Sequence, residues 1–288
     1  MKKILLQTTI AYEKDNWSIE RFSKLADILS AAEDQSRNKS FHVTARDREN
    51  LASGDDRLLS KLDESDFDQL WLFGVDVGAG LSPLDCAAIG RFRQRGGSIL
   101  TSRDHQDLGI SFCNLGGLGT SNHFHSKNPE PDPGRRVADD TETSSILWPN
   151  YHSGSNGDFQ RVEVPAPVHP IMKNDSNPSG RIEFLPAHPH EGAISVPQAE
   201  RDHARVVVLG RSAITGRPFN IAIGFERNGR GRAVVDSSFH HFLDYNLDPR
   251  AGCPSFVTEP SGNGMLKNPQ ALADTKAYIT NIARWLAE

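Results

Sequence analysis

Four consecutive residues, Ser102, Arg103, Asp104 and His105, place a hydroxyl, a guanidinium, a carboxylate and an imidazole directly after an apolar run in GGSILTSRDHQ, Gly96 to Gln106. A run of that kind between glycines reads as a buried strand, and ionisable residues at the carboxyl end of a strand in an open sheet sit where such folds do chemistry. Ser102, Arg103 and Asp104 are therefore expected to hold substrate, and His105 to work beside them. No G-x-S-x-G frame surrounds Ser102, so a nucleophile role for it is not expected. A second concentration follows Ala233 to Ser237, where His240 and His241 come at a strand end with Asp244 three residues beyond. An imidazole oriented by a carboxylate carries protons near neutral pH. His240, His241 and Asp244 are therefore candidate site residues, and the sequence does not choose between the two histidines.

Two His-x-His pairs raise a different chemistry: His123 with His125, and His188 with His190 followed by Glu191 in PAHPHEG. In an extended segment alternate residues share a face, so either pair could offer two imidazoles to one divalent metal. Pro189 favours that backbone, and Glu191, His105 or His240 could complete the set. Neither pair sits in HExxH or another established ligand spacing, so no cofactor is firmly expected. Gly78 and Gly80 in GVDVGAG follow a strand and could present amides to developing negative charge. GRSAITG, 210 to 216, lacks the strand-to-helix context of a phosphate loop.

The elements that must position these groups alternate. Ile4 to Thr9, Phe41 to Ala45, Asp68 to Val75 and the 96–106 stretch read as strands. Helices lie between them, one with apolar residues at three and four from Trp17 to Leu29, another opening on Ser82-Pro83 and ending near Arg95. That order predicts an α/β fold with a mostly parallel sheet and right-handed crossovers. Residues 109 to about 160 are rich in Gly, Asn, Pro and Ser, read as a loop-rich insertion over the site within one domain spanning 1–288. Strands resume at Phe159–Val164 and Arg181–Leu185, with VHPIM between. A β-pair, Arg205–Leu209 with Phe219–Phe225, turns at Thr215-Gly216, and a closing helix opens at Asn268-Pro269.

A formal net charge of −5 argues against nucleic acid or an anionic membrane as the main partner, and leaves a small molecule as the expected one. Three widely spaced cysteines without a CxxC propose neither disulfides nor a thiolate metal site. The apolar stretch after Lys2-Lys3 is too short for a secretory core, so a cytoplasmic location is expected, and a homo-oligomer remains open.

The layout and several short motifs resemble the class I glutamine amidotransferase-like superfamily, and within it the ThuA-like (trehalose utilisation) branch. GVDVGAG resembles the oxyanion-binding glycine loop of that fold, and GGSILTSRDH its strand and nucleophile elbow. VHPIM is similar to a His-Pro-Ile segment of the branch, and GRGRAVVDSSFHHF with the terminal ARWLAE to its last strand and helix. The resemblance implies a flavodoxin-like three-layer αβα domain with a β-rich excursion in its second half. It also implies a strand-end histidine, His240 or His241, as catalytic acid/base oriented by Asp244, and a carbohydrate-like or carbonyl substrate, in a hydrolase- or lyase-type reaction. The elbow here holds Thr101, Ser102 and Arg103, with Cys113 too far downstream to replace the family's cysteine, so glutaminase chemistry is not expected. The branch's elbow histidine aligns with Arg103. Two other readings stand beside this one: a metal-dependent hydrolase using the His-x-His ligands, and a catalytically silent binding or subunit protein.

Overall fold

The computed structural model describes residues 1–140 and 143–288. Among the described residues eleven strands appear in chain order: β1 (Lys2–Thr8), β2 (Phe41–Arg46), β3 (Gln69–Phe73), β4 (Ser98–Ser102), β5 (Asn122–His123), β6 (Phe159–Arg161), β7 (Phe184–Pro186), β8 (Ala193–Ile194), β9 (Ala204–Arg211), β10 (Pro218–Phe225) and β11 (Ala233–Asp236). The helices are α1 (Ser23–Ala31), α2 (Pro83–Gln94), α3 (Gly116–Thr120), α4 (Asp244–Leu247), α5 (Gly264–Lys267) and α6 (Pro269–Ala287). Seven strands form one sheet in the order β2-β1-β3-β4-β11-β10-β9. The first five are mutually parallel, and the β9–β10 hairpin extends the sheet antiparallel beside β11.

Period-two alternation sends successive residues to opposite faces, and both faces are covered, as a parallel sheet requires. Ile4, Leu6, Trp71 and Phe73 pack with α1 and with Tyr278, Ile279 and Ile282 of α6. Leu5, Leu70 and Leu72 pack on the other face with Ile89 and Phe92 of α2. The fold is thus the three-layer α/β arrangement anticipated from sequence. Helix α2 starts as its sequence dictates: the Ser82 hydroxyl accepts from the Asp85 amide while the Asp85 carboxylate accepts from the Ser82 amide, with Pro83 at the first helical position. Asn268 caps α6 in the same manner, accepting from Gln270 and Ala271.

Between β4 and β9 the chain carries little regular structure. Residues 109–158 hold only short helical turns, α3 and β5 among the described residues, and the small ladders β5–β8 and β6–β7 tie this excursion to the body. No helix among the described residues is long and apolar enough to cross a membrane.

Candidate functional site

Strands β4 and β11 lie side by side in parallel, with Ser102 opposite Asp236, so the turns that leave them emerge together at the carboxyl edge of the sheet. Two bonds join those turns: the Phe239 amide to the Arg103 carbonyl at 2.9 Å, and the Ser238 hydroxyl to Asp104 Oδ1 at 3.1 Å. Gly192 threads between them, its amide on the Ser237 carbonyl. A Cβ there would stand 2.7 Å from the Asp104 carbonyl oxygen and 2.8 Å from that of Ser237, so only glycine fits. Segments some 136 positions apart thereby bring Asp104 and His240 together.

Asp104 is the hub. Its carboxylate is buried and faces three imidazoles: His105 Nδ1 at 2.9 Å, His188 Nε2 at 3.2 Å and His240 Nε2 at 3.6 Å. Burial works to raise this carboxyl, and positive charge on any of the three rings would work to lower it. The rings of His188 and His240 stack, centroids 3.5 Å apart and planes within 10°. Burial pushes His188 down to about 4 and His240 well below its ordinary value, the second effect on His240 being its stacked neighbour. Both are neutral near pH 7. An oxygen of Asp104 and one nitrogen from each of His188 and His240 lie within 4.8 Å of one another, the spacing of a potential metal centre.

Two asparagines fix where the protons sit. The Ala187 carbonyl accepts from Asn246 Nδ2 at 3.0 Å, so the Asn246 oxygen turns the other way and accepts from His240 Nδ1 at 2.8 Å. The same Asn246 amide donates to Asn156 Oδ1 at 2.9 Å, and that oxygen also accepts from His188 Nδ1 at 2.9 Å. Each ring therefore carries its proton on Nδ1 and a lone pair on the Nε2 that faces Asp104.

Around this cluster is a cavity of about 210 Å³, with Trp17, Leu108, Ile146, Phe256 and Val257 on its apolar side. His105, Thr143, Asn156, His190, Thr258 and Glu259 line the polar side, and among the described residues neither lysine nor arginine does. His190 is held between Asp140 at 3.3 Å and Glu259 at 3.2 Å, and its ring meets that of His105 edge-on with centroids 5.0 Å apart. Glu259 also accepts from the Thr143 hydroxyl, and these partners bring its carboxyl down to about 2 against the opposing effect of burial. A larger open groove of about 620 Å³ runs past Met1, Lys39 and Arg284 without any such cluster.

Of the residues anticipated from sequence, Asp104, His105, His188, His190 and His240 come together here, and the others are placed elsewhere. Arg103 is fully buried: its guanidinium binds the carbonyls of Asp104, Gln106 and His123 and stacks 4.2 Å over Phe124, so it pins the turn rather than clamping substrate. Ser102 is buried against Asp236 Oδ1 at 3.3 Å. The Gly78 amide is taken by Asp76 Oδ2 at 3.0 Å, Gly80 packs on the same side chain, and neither lines the cavity.

The expected pairing of a strand-end histidine with Asp244 is also corrected. Asp244 accepts from the amides of Ser23 and Lys24 and from the Ser23 hydroxyl, capping the start of α1. His241 points away into the core between Asp236 at 2.8 Å and Glu191 at 3.2 Å. Burial would make it less basic, but these two carboxylates raise it well above the ordinary histidine range. Glu191 is further held by Ser153, Gln160 and Ser237. The His-x-His pairs do not chelate as pairs. His123 Nε2 binds the Ser195 hydroxyl at 2.7 Å, His125 Nδ1 the Trp148 carbonyl at 3.1 Å, and His188 and His190 face different carboxylates. Asn156, Asn246, Glu259, Trp17 and Phe256 had no motif to announce them; only their positions in space do.

A scan against protein-family models finds no match, and no curated protein matches the chain. Among solved structures, a ThuA-like protein from Bacteroides uniformis aligns at a TM-score of 0.50 and 11% identity, over 99% of this chain and 91% of that one. The mmIFT52 N-terminal domain aligns at 0.50 and 15% identity, over 96% and 97% of the two chains. The glutaminase domain of Trypanosoma brucei CTP synthase, at 0.47 and 13%, adds no argument. These likenesses are of fold. One of the two at 0.50 falls in the branch whose motifs the sequence resembles, and the other carries a quite different description.

Proposed function

We propose that the protein is a hydrolytic enzyme acting on a small polar substrate in the Asp104 cavity, without glutaminase chemistry. One observation carries this reading: His105 donates Nδ1 to buried Asp104 while its ring stays 18% exposed at the cavity, beside two neutral imidazoles. An imidazole held by a carboxylate is a proton carrier with a preset orientation. In hydrolysis, the water oxygen bonds to the electrophilic carbon, the bond to the leaving group breaks, and His105 passes the water's proton to the group that departs. Asp104 stabilises the charged ring between those events.

The cavity has no cysteine among its lining residues. Burial raises the Cys113 thiol above its ordinary value, the opposite of what a thiolate nucleophile needs. With no lysine or arginine among the described lining residues, the walls offer no cation to an anionic substrate. The likeness to ThuA-like proteins directs the search toward carbohydrate-like carbonyl compounds. The test is a panel of chromogenic esters, amides and glycosides turned over by the wild type and by His105→Ala. A loss of about 100-fold or more in kcat with the fold retained supports the reading, and equal kcat refutes it.

A further inference from the structure

His188 and His240 present Asp104 with an electrostatic conflict that no placement of a single proton on each ring resolves. The Ala187 carbonyl sets the direction of the Asn246 amide, which with Asn156 puts the proton of each ring on Nδ1. Two lone pairs and a carboxylate then face one another across 3.2 and 3.6 Å inside the protein. Moving a ring proton to Nε2 would leave a bare Nδ1 against an amide oxygen, and flipping Asn246 would set its oxygen against that of Ala187. His188 Nε2 accordingly has no hydrogen-bond partner although it is buried, a costly state for a polar atom.

From this geometry we infer that Asp104, His188 and His240 together bind one divalent transition-metal ion of the zinc type, leaving an open coordination position toward the cavity. Bonds of roughly 2.1 Å at tetrahedral angles separate neighbouring donor atoms by about 3.4 Å. The observed separations are 3.2 Å from His188 Nε2 to Asp104 Oδ1 and 3.6 Å from His240 Nε2 to Asp104 Oδ2. Because the two rings stack with planes within 10°, their inward lone pairs run parallel, and binding one ion turns the rings apart. Two imidazoles and one carboxylate with an open position are the donor set of catalytic zinc and related ions, whereas calcium and magnesium favour oxygen donors throughout. The outer shell matches as well: each ligand histidine gives its far N–H to an amide oxygen that is itself anchored, which fixes ring orientation. The inference rests on the hydrolytic reading of the cavity only for its purpose. The open position would hold the water that hydrolysis consumes, whose oxygen joins the electrophilic carbon as the leaving-group bond breaks and takes up the proton. The metal keeps its oxidation state throughout.

The experiment uses the full chain without an affinity tag, stripped with chelator and titrated with zinc chloride by calorimetry and with cobalt chloride by visible absorption. One equivalent of each should bind, with cobalt showing the d–d bands of a low-coordinate nitrogen and oxygen site. His188→Ala and His240→Ala should each weaken zinc binding by about 100-fold or more, and His123→Ala by less than about twofold. Folded wild type that takes up neither ion, or His188 and His240 variants that bind like wild type, would overturn the inference. Stoichiometric binding without any turnover would remove the hydrolytic reading and leave the metal site standing. Failure to bind either ion, together with turnover that His105→Ala abolishes, would do the reverse.

Discussion

Replacing Asn246 by alanine tests the proton assignment on which the metal site depends. The side chain makes three buried hydrogen bonds: from His240 Nδ1 at 2.8 Å, to Asn156 Oδ1 at 2.9 Å and to the Ala187 carbonyl at 3.0 Å. At about 1 kcal/mol each the loss is about 3 kcal/mol, which at roughly 2 °C per kcal/mol lowers Tm by roughly 6 °C. That much any buried asparagine would cost. The specific effect is on the ligands: His240 is free to put its proton on Nε2, and Asn156, released, can turn its oxygen away from His188. Loss of such an outer-shell partner weakens metal binding by about 10- to 100-fold, or about 1.4 to 2.8 kcal/mol. Calorimetric titration with zinc, on Asn246→Ala, His240→Ala and the double variant, separates the two. If Asn246 acts through His240, the double variant binds no more weakly than His240→Ala alone apart from the share carried by His188. Zinc affinity unchanged in Asn246→Ala, with Tm lowered as above, would show that the asparagine only packs and that the proton assignment is wrong.

Three further outcomes follow from contacts described above. Gly192→Ala forces a methyl against two backbone oxygens at 2.7 and 2.8 Å, so the turns after β4 and β11 must part, and zinc affinity should fall more than Tm predicts when both are measured. Asp244→Asn removes a carboxylate from the start of α1 and should cost about 1 kcal/mol in urea unfolding while leaving zinc binding as in wild type, an outcome a catalytic Asp244 would not permit. Burial, with Arg205 and Arg232 nearby, lowers His169 from 6.5 to about 4. The unfolded chain then binds the extra proton first, so stability is full above pH 6.5 and falls as pH drops toward 4, by up to roughly 3 kcal/mol. Denaturant unfolding of wild type and His169→Asn across that range should show the steeper decline in wild type.

The central strands were legible because they are apolar on both faces, and element boundaries were legible where turn or cap residues mark them: strand Ser98–Ser102 and helix Pro83–Gln94 fall where GGSILTS and SPLD place them. The site was legible as a neighbourhood, since ionisable residues after β4 and β11 have to share the carboxyl edge of the sheet. Roles within it were not. Arg103 looks like an anion clamp in sequence, yet loop carbonyls from Asp104, Gln106 and His123 consume its donors, and carbonyl positions leave no mark in a residue string. Asp244 follows His241 closely in the chain but, one helical turn on, faces α1. The spacing of PAHPHEG suggested two ligands on one face, whereas His188 and His190 meet different carboxylates and the partner of His188 comes from β4 and β11. Asn156 and Asn246 lie 90 positions apart, with no local pattern to link them.

The proton placement on both rings begins at the oxygen of residue 187, a peptide group. Drift in the amino acid at that position cannot reverse a main-chain dipole, so the basicity of the two inward nitrogens is inherited with the path of the backbone leaving β7. An engineer wishing to turn this cluster into a proton donor would have to reroute that segment, because exchanging the asparagines alone leaves the carbonyl demanding a donor as before.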